Sequence, residues 1–213
     1  MIAAVSMLAA ESYAADQDVC RALAMSGGAN NGAWEIGVLW GFINYGNAAD
    51  FDYDVYTGVS VGALNASLLA LFDYGDGQEM IQTISDIWRG LVNSDVWVNW
   101  PLSPVAGLFR QQGLLDNRPL LNFMNDTMSA YDQFYKRVTV SAMNIETGKV
   151  MMFNNDNTPV EDFYQAAFSA TCIPGLFPSY QWENFQGSGE TKLFNDNFMI
   201  GNVNVESAIN ECM

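Results

Sequence analysis

The chain has 213 residues, of which 50% are hydrophobic and 15% charged, so it must bury a large apolar surface; this excludes a disordered or fibrous protein and favours one globular domain. Its 24 acidic and 8 basic residues give a net charge of -16, which argues against binding to nucleic acids or docking on anionic lipid. The chain contains no histidine, which excludes a Ser-His-Asp triad, a Cys-His dyad and a histidine-ligated metal site; we expect neither a metal nor another cofactor.

The N-terminal segment is a candidate for a cleaved signal peptide. Its first ten residues are apolar and uncharged, and Ser12 and Ala14 suit the small-residue positions of a signal-peptidase site. We therefore expect residues 1–14 to form a signal peptide, residues 15–213 to form one domain, and the protein to enter the secretory pathway or be secreted. The positively charged start of a signal peptide is missing, so an N-terminal arm on a cytoplasmic or peripheral membrane protein is the alternative.

The cysteines and glycosylation sequons also bear on whether the protein enters the secretory pathway. Cys20, Cys172 and Cys212 are too few and too dispersed for a thiolate zinc site, but they permit one long-range disulfide bond. Sequons at Asn65 and Asn125 are compatible with a secretory route, although such triplets often arise by chance.

No transmembrane span is predicted. The uncharged stretch 55–72 contains glycines and several polar residues, which suit a buried strand and helix better than a lipid-exposed helix. A second uncharged stretch, 163–182, is broken by Pro174, Gly175 and Pro178 and cannot form one continuous span.

Strands alternate with helices along the first part of the chain. An apolar strand over residues 19–25 ends in a glycine turn, and apolar residues between 34 and 42 follow at helical spacing. A second strand over 53–59 is followed by an apolar helix over 63–72. This alternation predicts an α/β fold in which helices cover both faces of a parallel sheet.

The later elements are predicted in the same way. They are a helix at 78–89, a strand at 136–144, a return strand at 149–153 and a helix from about 159 to 170. The last helix is predicted from the capping-box spacing of Thr158 and Glu161. Between Leu91 and Arg110 no period is sustained, so we interpret this stretch as a long loop or broken helices.

Ser60 is a candidate nucleophile. It is the central residue of Gly58-Val59-Ser60-Val61-Gly62, which has the G-x-S-x-G form of a nucleophile elbow. The pattern lies between a predicted strand and a predicted helix, where a sharp turn exposes the serine above a helix N-terminus. The alternative is a tight strand-to-helix turn with an incidental serine.

The turn after the first strand is a candidate oxyanion hole. The sequence Ser26-Gly27-Gly28-Ala29-Asn30-Asn31-Gly32 offers consecutive backbone N–H groups to an anion, either a phosphate or the oxyanion of a tetrahedral intermediate. Its spacing is not that of a dinucleotide-binding loop, and no P-loop lysine follows.

A serine nucleophile in this chain needs a base other than histidine, which leaves a carboxylate or a lysine. Asp196 follows a short apolar run, so it could meet the serine from the end of a neighbouring strand. Composition alone gives it no preference among the 24 acidic residues.

These segments together resemble the patatin-like phospholipase family. The matching stretches are 26–39, 57–66, 113–120, 167–178 and 196–203. The resemblance implies a three-layer α/β/α fold with a mainly parallel central sheet, a catalytic dyad of Ser60 and Asp196, and an oxyanion hole from the N–H groups of Gly27, Gly28 and Ala29. A serine-aspartate dyad agrees with the missing histidine.

The resemblance also implies the reaction. The expected function is hydrolysis of acyl esters of phospholipids, lysophospholipids or acylglycerols through an acyl-enzyme, at a membrane or lipid interface. The negative charge favours neutral or zwitterionic lipids. The aromatic stretch 97–109, with Phe177 and Phe198, lines an acyl pocket, contacts a lipid interface or packs in the core.

Asn197 and Phe198 depart from the family pattern, because they replace the small residues that usually follow the catalytic aspartate. Ala29 likewise stands where a third glycine is usual. The alternative function is therefore a catalytically silent patatin-like domain that binds lipid or a protein partner.

Overall fold

The computed structural model describes residues 19–101 and 103–213, and the predicted signal peptide, residues 1–14, lies outside them. The helices are α1 (Gly32–Tyr45), α2 (Val61–Leu69), α3 (Gly77–Gly90), α4 (Asn93–Val96), α5 (Pro104–Gln111), α6 (Arg118–Met128), α7 (Val160–Ser169) and α8 (Val205–Glu211). The strands are β1 (Ala22–Met25), β2 (Val55–Val59), β3 (Val98–Asn99), β4 (Leu115–Asp116), β5 (Arg137–Asn144), β6 (Lys149–Asn154), β7 (Tyr180–Trp182) and β8 (Lys192–Asn195).

The central sheet is mixed, with parallel strands at its core. Its order is β1-β2-β5-β8-β7. Strands β2 and β8 pair with successive parts of one edge of β5, and β6 pairs with the other edge. Strands β1, β2 and β5 are parallel, whereas β6, β8 and β7 pair with their neighbours in antiparallel fashion. The predicted α/β class with parallel central strands is confirmed.

Side chains alternate across the sheet and bury it on both faces. Tyr56 on β2 faces α3, where its hydroxyl donates to the sulfur of Met80. The next residue, Thr57, faces the opposite side and donates to the main-chain carbonyl of Asn204, just before α8. Helices α2 and α7 pack on the Tyr56 face and α8 on the other, which gives the three-layer α/β/α arrangement.

The predicted strands and helices are found with small shifts at their ends. The aperiodic stretch 91–110 forms broken helices, α4 and α5, with the short strand β3 between them. The predicted capping box is wrong: α7 begins at Val160 after Pro159, whose ring has no atom that could accept a hydrogen bond from the helix N-terminus. Thr158 is buried, and its hydroxyl bonds to Asn157 and Gln186 instead.

One disulfide bond joins the two ends of the described chain. Cys20, just before β1, is bonded to Cys212, just after α8, across 192 positions. Cys172 is a buried free thiol whose pKa burial raises to about 12. Of the two sequon residues, Asn65 is fully buried in α2, whereas Asn125 is exposed on α6.

Across residues 19–101 and 103–213, the helices are all too short or too polar to cross a lipid bilayer.

Candidate active site

Ser60 and Asp196 lie close together because each directly follows a strand that pairs with β5. Ser60 follows β2, and Asp196 follows β8. The last register pairs are Val59 with Ser141 and Asn195 with Met143. Because β6 occupies the other edge of β5, β2 and β8 share one edge and approach each other from opposite directions. One residue further along each strand, Ser60 and Asp196 therefore meet at the same point beside Ala142.

Ser60 lies on a strained turn. Its backbone has φ 54° and ψ -128°, a left-handed conformation that a residue with a side chain rarely adopts. The flanking glycines permit it: a Cβ on Gly58 would collide with the carbonyl of Gly62, and a Cβ on Gly62 would lie 2.6 Å from the carbonyl oxygen of Met25. Strand β1, strand β2 and helix α2 can therefore approach closely around the serine.

The Asp196 carboxyl is buried beside that serine, with 1% of the residue exposed. Its main-chain N–H donates to the carbonyl of Cys172 (2.9 Å), and its Oδ1 accepts the N–H of Phe198 (2.9 Å). Burial raises the pKa of the Asp196 carboxyl, while the adjacent Ser60 hydroxyl and the hydrogen bond from the Phe198 N–H lower it less. Oδ2 has no well-aligned partner among the described residues, so Ser60 and Asp196 are adjacent without an ideal hydrogen bond.

Asn197 and Phe198 do not displace the carboxyl. Asn197 is buried on the sheet side, where its Oδ1 accepts a hydrogen bond from the Ser141 hydroxyl (3.2 Å). The Phe198 ring is 38% exposed, and its backbone N–H holds the Asp196 carboxyl. Asn197 therefore ties the turn to the sheet through its side chain, whereas Phe198 supports the turn through its backbone N–H alone.

The glycine loop lies directly against Ser60. A Cβ placed on Gly27 would lie 3.0 Å from the Cβ of Ser60. Asn202 holds the loop from the other side: its carbonyl accepts the Gly27 N–H (3.1 Å), and its Nδ2 donates to the Gly27 carbonyl (3.2 Å). The Gly27 N–H is thus already engaged, whereas the N–H groups of Gly28 and Ala29 donate to no described residue.

A half-buried polar network supports the same loop. Glu35 on α1 accepts hydrogen bonds from the N–H and hydroxyl of Ser26, at 3.2 and 3.3 Å. Its other oxygen accepts from Nδ2 of Asn65 on α2 (3.0 Å), and Trp88 on α3 donates to Oδ1 of Asn65 (2.9 Å). Burial raises the pKa of the Glu35 carboxyl, while these hydrogen bonds lower it less.

Asn202, Glu35 and Asn65 were not identified as site residues from the sequence. The sequence marks Asn65 as a glycosylation sequon and as part of a family-like stretch; in the structure its side chain is fully buried and hydrogen-bonds to Glu35 and Trp88. The one available signal was position, because Glu35 and Asn65 lie within the segments that resemble the family and Asn202 follows Asp196 by six residues.

An apolar cavity of about 440 Å³ opens at Ser60. Its wall includes Leu64, Trp88, Trp97, Leu120, Leu176 and Phe177, and none of the described residues that line it is charged. Of the aromatic residues predicted to line a pocket or the core, Trp97 and Phe177 lie on this wall, whereas Phe109 and Phe198 are exposed. The cavity size falls within the range of small-molecule sites.

Comparisons with known proteins place this geometry in context. The family model of patatin-like phospholipases matches residues 23–209. The chain is similar to the crystal structure of VipD from Legionella pneumophila, with a TM-score of 0.55 and 14% sequence identity. That match covers 86% of this chain but only 46% of VipD, so the chain spans less than half the length of its structural neighbour. No curated protein sequence matches the chain.

Proposed function

Because the chain belongs to the patatin-like phospholipase family, we propose that it is a lipid acyl hydrolase that cleaves carboxylic esters through Ser60 and Asp196. Family membership supports lipid acyl hydrolysis in general. The observation that carries the finer assignment is the approach of the Ser60 hydroxyl to the buried Asp196 carboxyl at the mouth of an apolar cavity.

Ser60 attacks the ester carbonyl, and Asp196 accepts the proton of its hydroxyl. A carboxylate with an ordinary pKa of about 3.9 is a weak base for this step. Burial of Asp196 acts in the required direction, because it raises the pKa of the carboxyl and makes it a stronger base. Catalytic hydrogen bonds commonly tighten when substrate binds, which suits the loose alignment of this pair.

The oxyanion that forms during attack is held by the N–H groups of Gly28 and Ala29. The sequence predicts three oxyanion donors, the N–H groups of Gly27, Gly28 and Ala29. We leave out Gly27 because its N–H donates to the Asn202 carbonyl and fixes the loop. One oxyanion donor typically contributes about 2.7 to 4 kcal/mol of transition-state stabilisation. The tetrahedral intermediate then collapses to the acyl-enzyme and expels the alcohol, which takes the proton from Asp196. A water molecule that loses its proton to Asp196 attacks the acyl-enzyme, and the carboxylic acid leaves as the Ser60 oxygen takes that proton back.

The acyl chain occupies the cavity beside Ser60. Every methylene that enters this apolar space leaves water, which favours long-chain esters over acetate. With no charged residue among its described lining, the cavity suits the acyl part of a phospholipid, lysophospholipid or acylglycerol and does not distinguish their head groups.

A purified-protein assay on p-nitrophenyl octanoate tests the dyad. We expect Ser60→Ala and Asp196→Asn each to lower kcat/KM by about a thousandfold or more, because residues that act as one unit cannot replace each other. Ser188→Ala, which alters an exposed serine outside the cavity, is the matched control and should retain wild-type activity.

Circular dichroism and thermal unfolding establish that each variant is folded. Substantial activity in folded Ser60→Ala or Asp196→Asn would refute the assignment. A folded wild-type chain that hydrolyses no ester, yet binds lipid, would instead support the catalytically silent alternative.

A further inference from the structure

A second cavity lies next to the acyl cavity, and the side chain of Trp88 lines both. The second cavity has a volume of about 350 Å³ and lies between α1 and α3, where its wall includes Ile36, Gly37, Trp40 and Ser85. Ala33 and Trp88 are the described residues common to both cavities. Of these two, only the indole is large enough to form a partition.

The indole of Trp88 is fixed in place from two other helices. Its Nε1 donates to Oδ1 of Asn65, which is fully buried in α2. Its six-membered ring packs on Gly32 at the start of α1, where a Cβ would lie 2.8 Å from Cζ2. A side chain held by a hydrogen bond to a buried partner and by backbone contact does not swing aside easily, so Trp88 acts as a wall.

We propose that Trp88 is a specificity-determining residue that sets the upper length of the acyl chain that the enzyme accepts. The proposal rests on the proposed ester hydrolysis and names its substrate range. In the wild-type protein the acyl chain stops at the indole. Removing the indole would join the two cavities and nearly double the space available to the chain.

The lining of the second cavity is mostly apolar, but it also includes the charged Arg89 and the hydroxyl of Ser85. The hydroxyl of Ser85 is buried and has no hydrogen-bond partner among the described residues. An alkyl chain that reached this hydroxyl would leave it without water, which disfavours binding. Ser85 therefore reports whether a chain has passed Trp88.

The test is an acyl-length profile measured with p-nitrophenyl esters from butyrate to palmitate. For the wild type we expect kcat/KM to rise about fourfold per methylene until the chain reaches Trp88, then to fall. Trp88→Ala should raise the palmitate-to-octanoate ratio of kcat/KM by about tenfold or more, the gain from two further buried methylenes. Trp88→Phe, which keeps an aromatic ring but loses the hydrogen bond, should keep the wild-type maximum.

Two further variants sharpen the result. Ser85→Ala should leave the wild-type profile unchanged and increase palmitate hydrolysis in the Trp88→Ala background. Trp40→Ala removes a tryptophan that lines the second cavity alone, so it should not move the wild-type maximum.

A Trp88→Ala protein that is folded, active and unchanged in its length profile would overturn the proposal, as would an equal loss of activity at every chain length. If Trp88→Ala does not fold, Trp88→Leu decides by the same criteria. Absence of any Ser60-dependent hydrolysis in the wild type would instead refute the proposed function, so the two failures are distinguishable.

Discussion

In the dyad that we propose, Asp196 faces two opposing demands. It must be close to Ser60 and ionised to accept a proton, yet it is buried where an ionised carboxylate is poorly solvated. The Phe198 N–H and the Ser60 hydroxyl lie next to the Asp196 carboxyl, and they lower its pKa by less than burial raises it. A carboxylate held in this way is a stronger base than a solvated aspartate and can act on serine without an imidazole.

The pH dependence of activity follows from the raised pKa of Asp196. Activity requires the ionised carboxylate, so kcat/KM on a soluble ester should fall with decreasing pH through a midpoint above about 3.9, the ordinary aspartate value. A midpoint at or below the ordinary value in a folded protein would contradict the assignment of Asp196 as a buried base.

The raised pKa of Asp196 also predicts that its ionised carboxylate, which activity requires, makes the folded protein less stable. A carboxyl whose pKa is higher in the folded than in the unfolded chain makes the fold less stable as pH rises between the two values, and the loss persists above them. Asp196→Asn should therefore have a higher Tm than wild type at pH 7, and the difference should disappear once the pH is below the ordinary aspartate pKa. An Asp196→Asn protein less stable than wild type at pH 7 would argue against an ionised, strained carboxylate.

At the scale of strands and helices, local patterns predicted most of the fold but only part of the site. The elbow around Ser60 and the glycine turn are local, since each depends on a few adjacent residues between a strand and a helix. Asp196 is different: it reaches Ser60 only because β2 and β8 end on the same edge of β5. No local sequence pattern specifies how β2 and β8 pair with β5. The residues alone therefore could not single out Asp196 as the candidate base, and the family resemblance supplied that prediction.

The same reasoning explains what was missed. The Asn202 contact with Gly27 and the Glu35–Asn65–Trp88 network join segments 23 to 175 positions apart, and polar residues of this kind are individually common. The capping-box prediction failed for the converse reason, because Thr158 matches a local pattern but tertiary contacts with Asn157 and Gln186 engage its hydroxyl.

The disulfide is one of several attachments of helix α8. Cys212 follows the helix directly, and Glu211 within the helix accepts hydrogen bonds from Arg137 and Thr139 of β5. The helix also follows the segment in which Asn202 holds the glycine loop. Loss of a disulfide closing a loop this long is expected to cost about 2–5 kcal/mol of folding free energy. Cys20→Ser should therefore lower the free energy of unfolding in guanidinium by that amount, whereas Cys172→Ser should not affect the bond.

Thiol counting checks that the bond forms. Alkylation of the denatured, unreduced protein should modify one cysteine, Cys172, and reduction should make three available. Three modified cysteines before reduction would contradict the bond. A stable disulfide would also favour our proposal that the protein acts in an oxidising, secretory compartment.

At the scale of the whole molecule, charge and apolar surface bear on the lipid surface that we propose the protein contacts. The net charge is -16, and five of the basic side chains are already in ion pairs: Arg89, Arg118, Lys136, Arg137 and Lys192. Exposed apolar residues follow Asp196 directly, with Met199 79% and Ile200 60% exposed. We propose that this segment contacts lipid by apolar insertion and not by charge.

Vesicle binding tests the proposal. At low salt, phosphatidylcholine vesicles should bind the protein more tightly than vesicles that also contain phosphatidylglycerol, because the anionic surface repels a protein of this charge. Ile200→Asp should weaken binding several-fold. Tyr45→Asp, at the far end of α1, is the matched control and should not. Tighter binding to the anionic vesicles, or an equal loss in both variants, would contradict apolar docking through this segment.

The central claim is that Ser60 is a nucleophile activated by Asp196, and covalent labelling with a fluorophosphonate tests it most directly. After labelling and proteolysis, mass spectrometry should find one phosphonyl group per chain, on Ser60, with a labelling rate that falls sharply in Asp196→Asn. Labelling at another serine, or an unlabelled Ser60 in protein shown to be folded, would contradict the account.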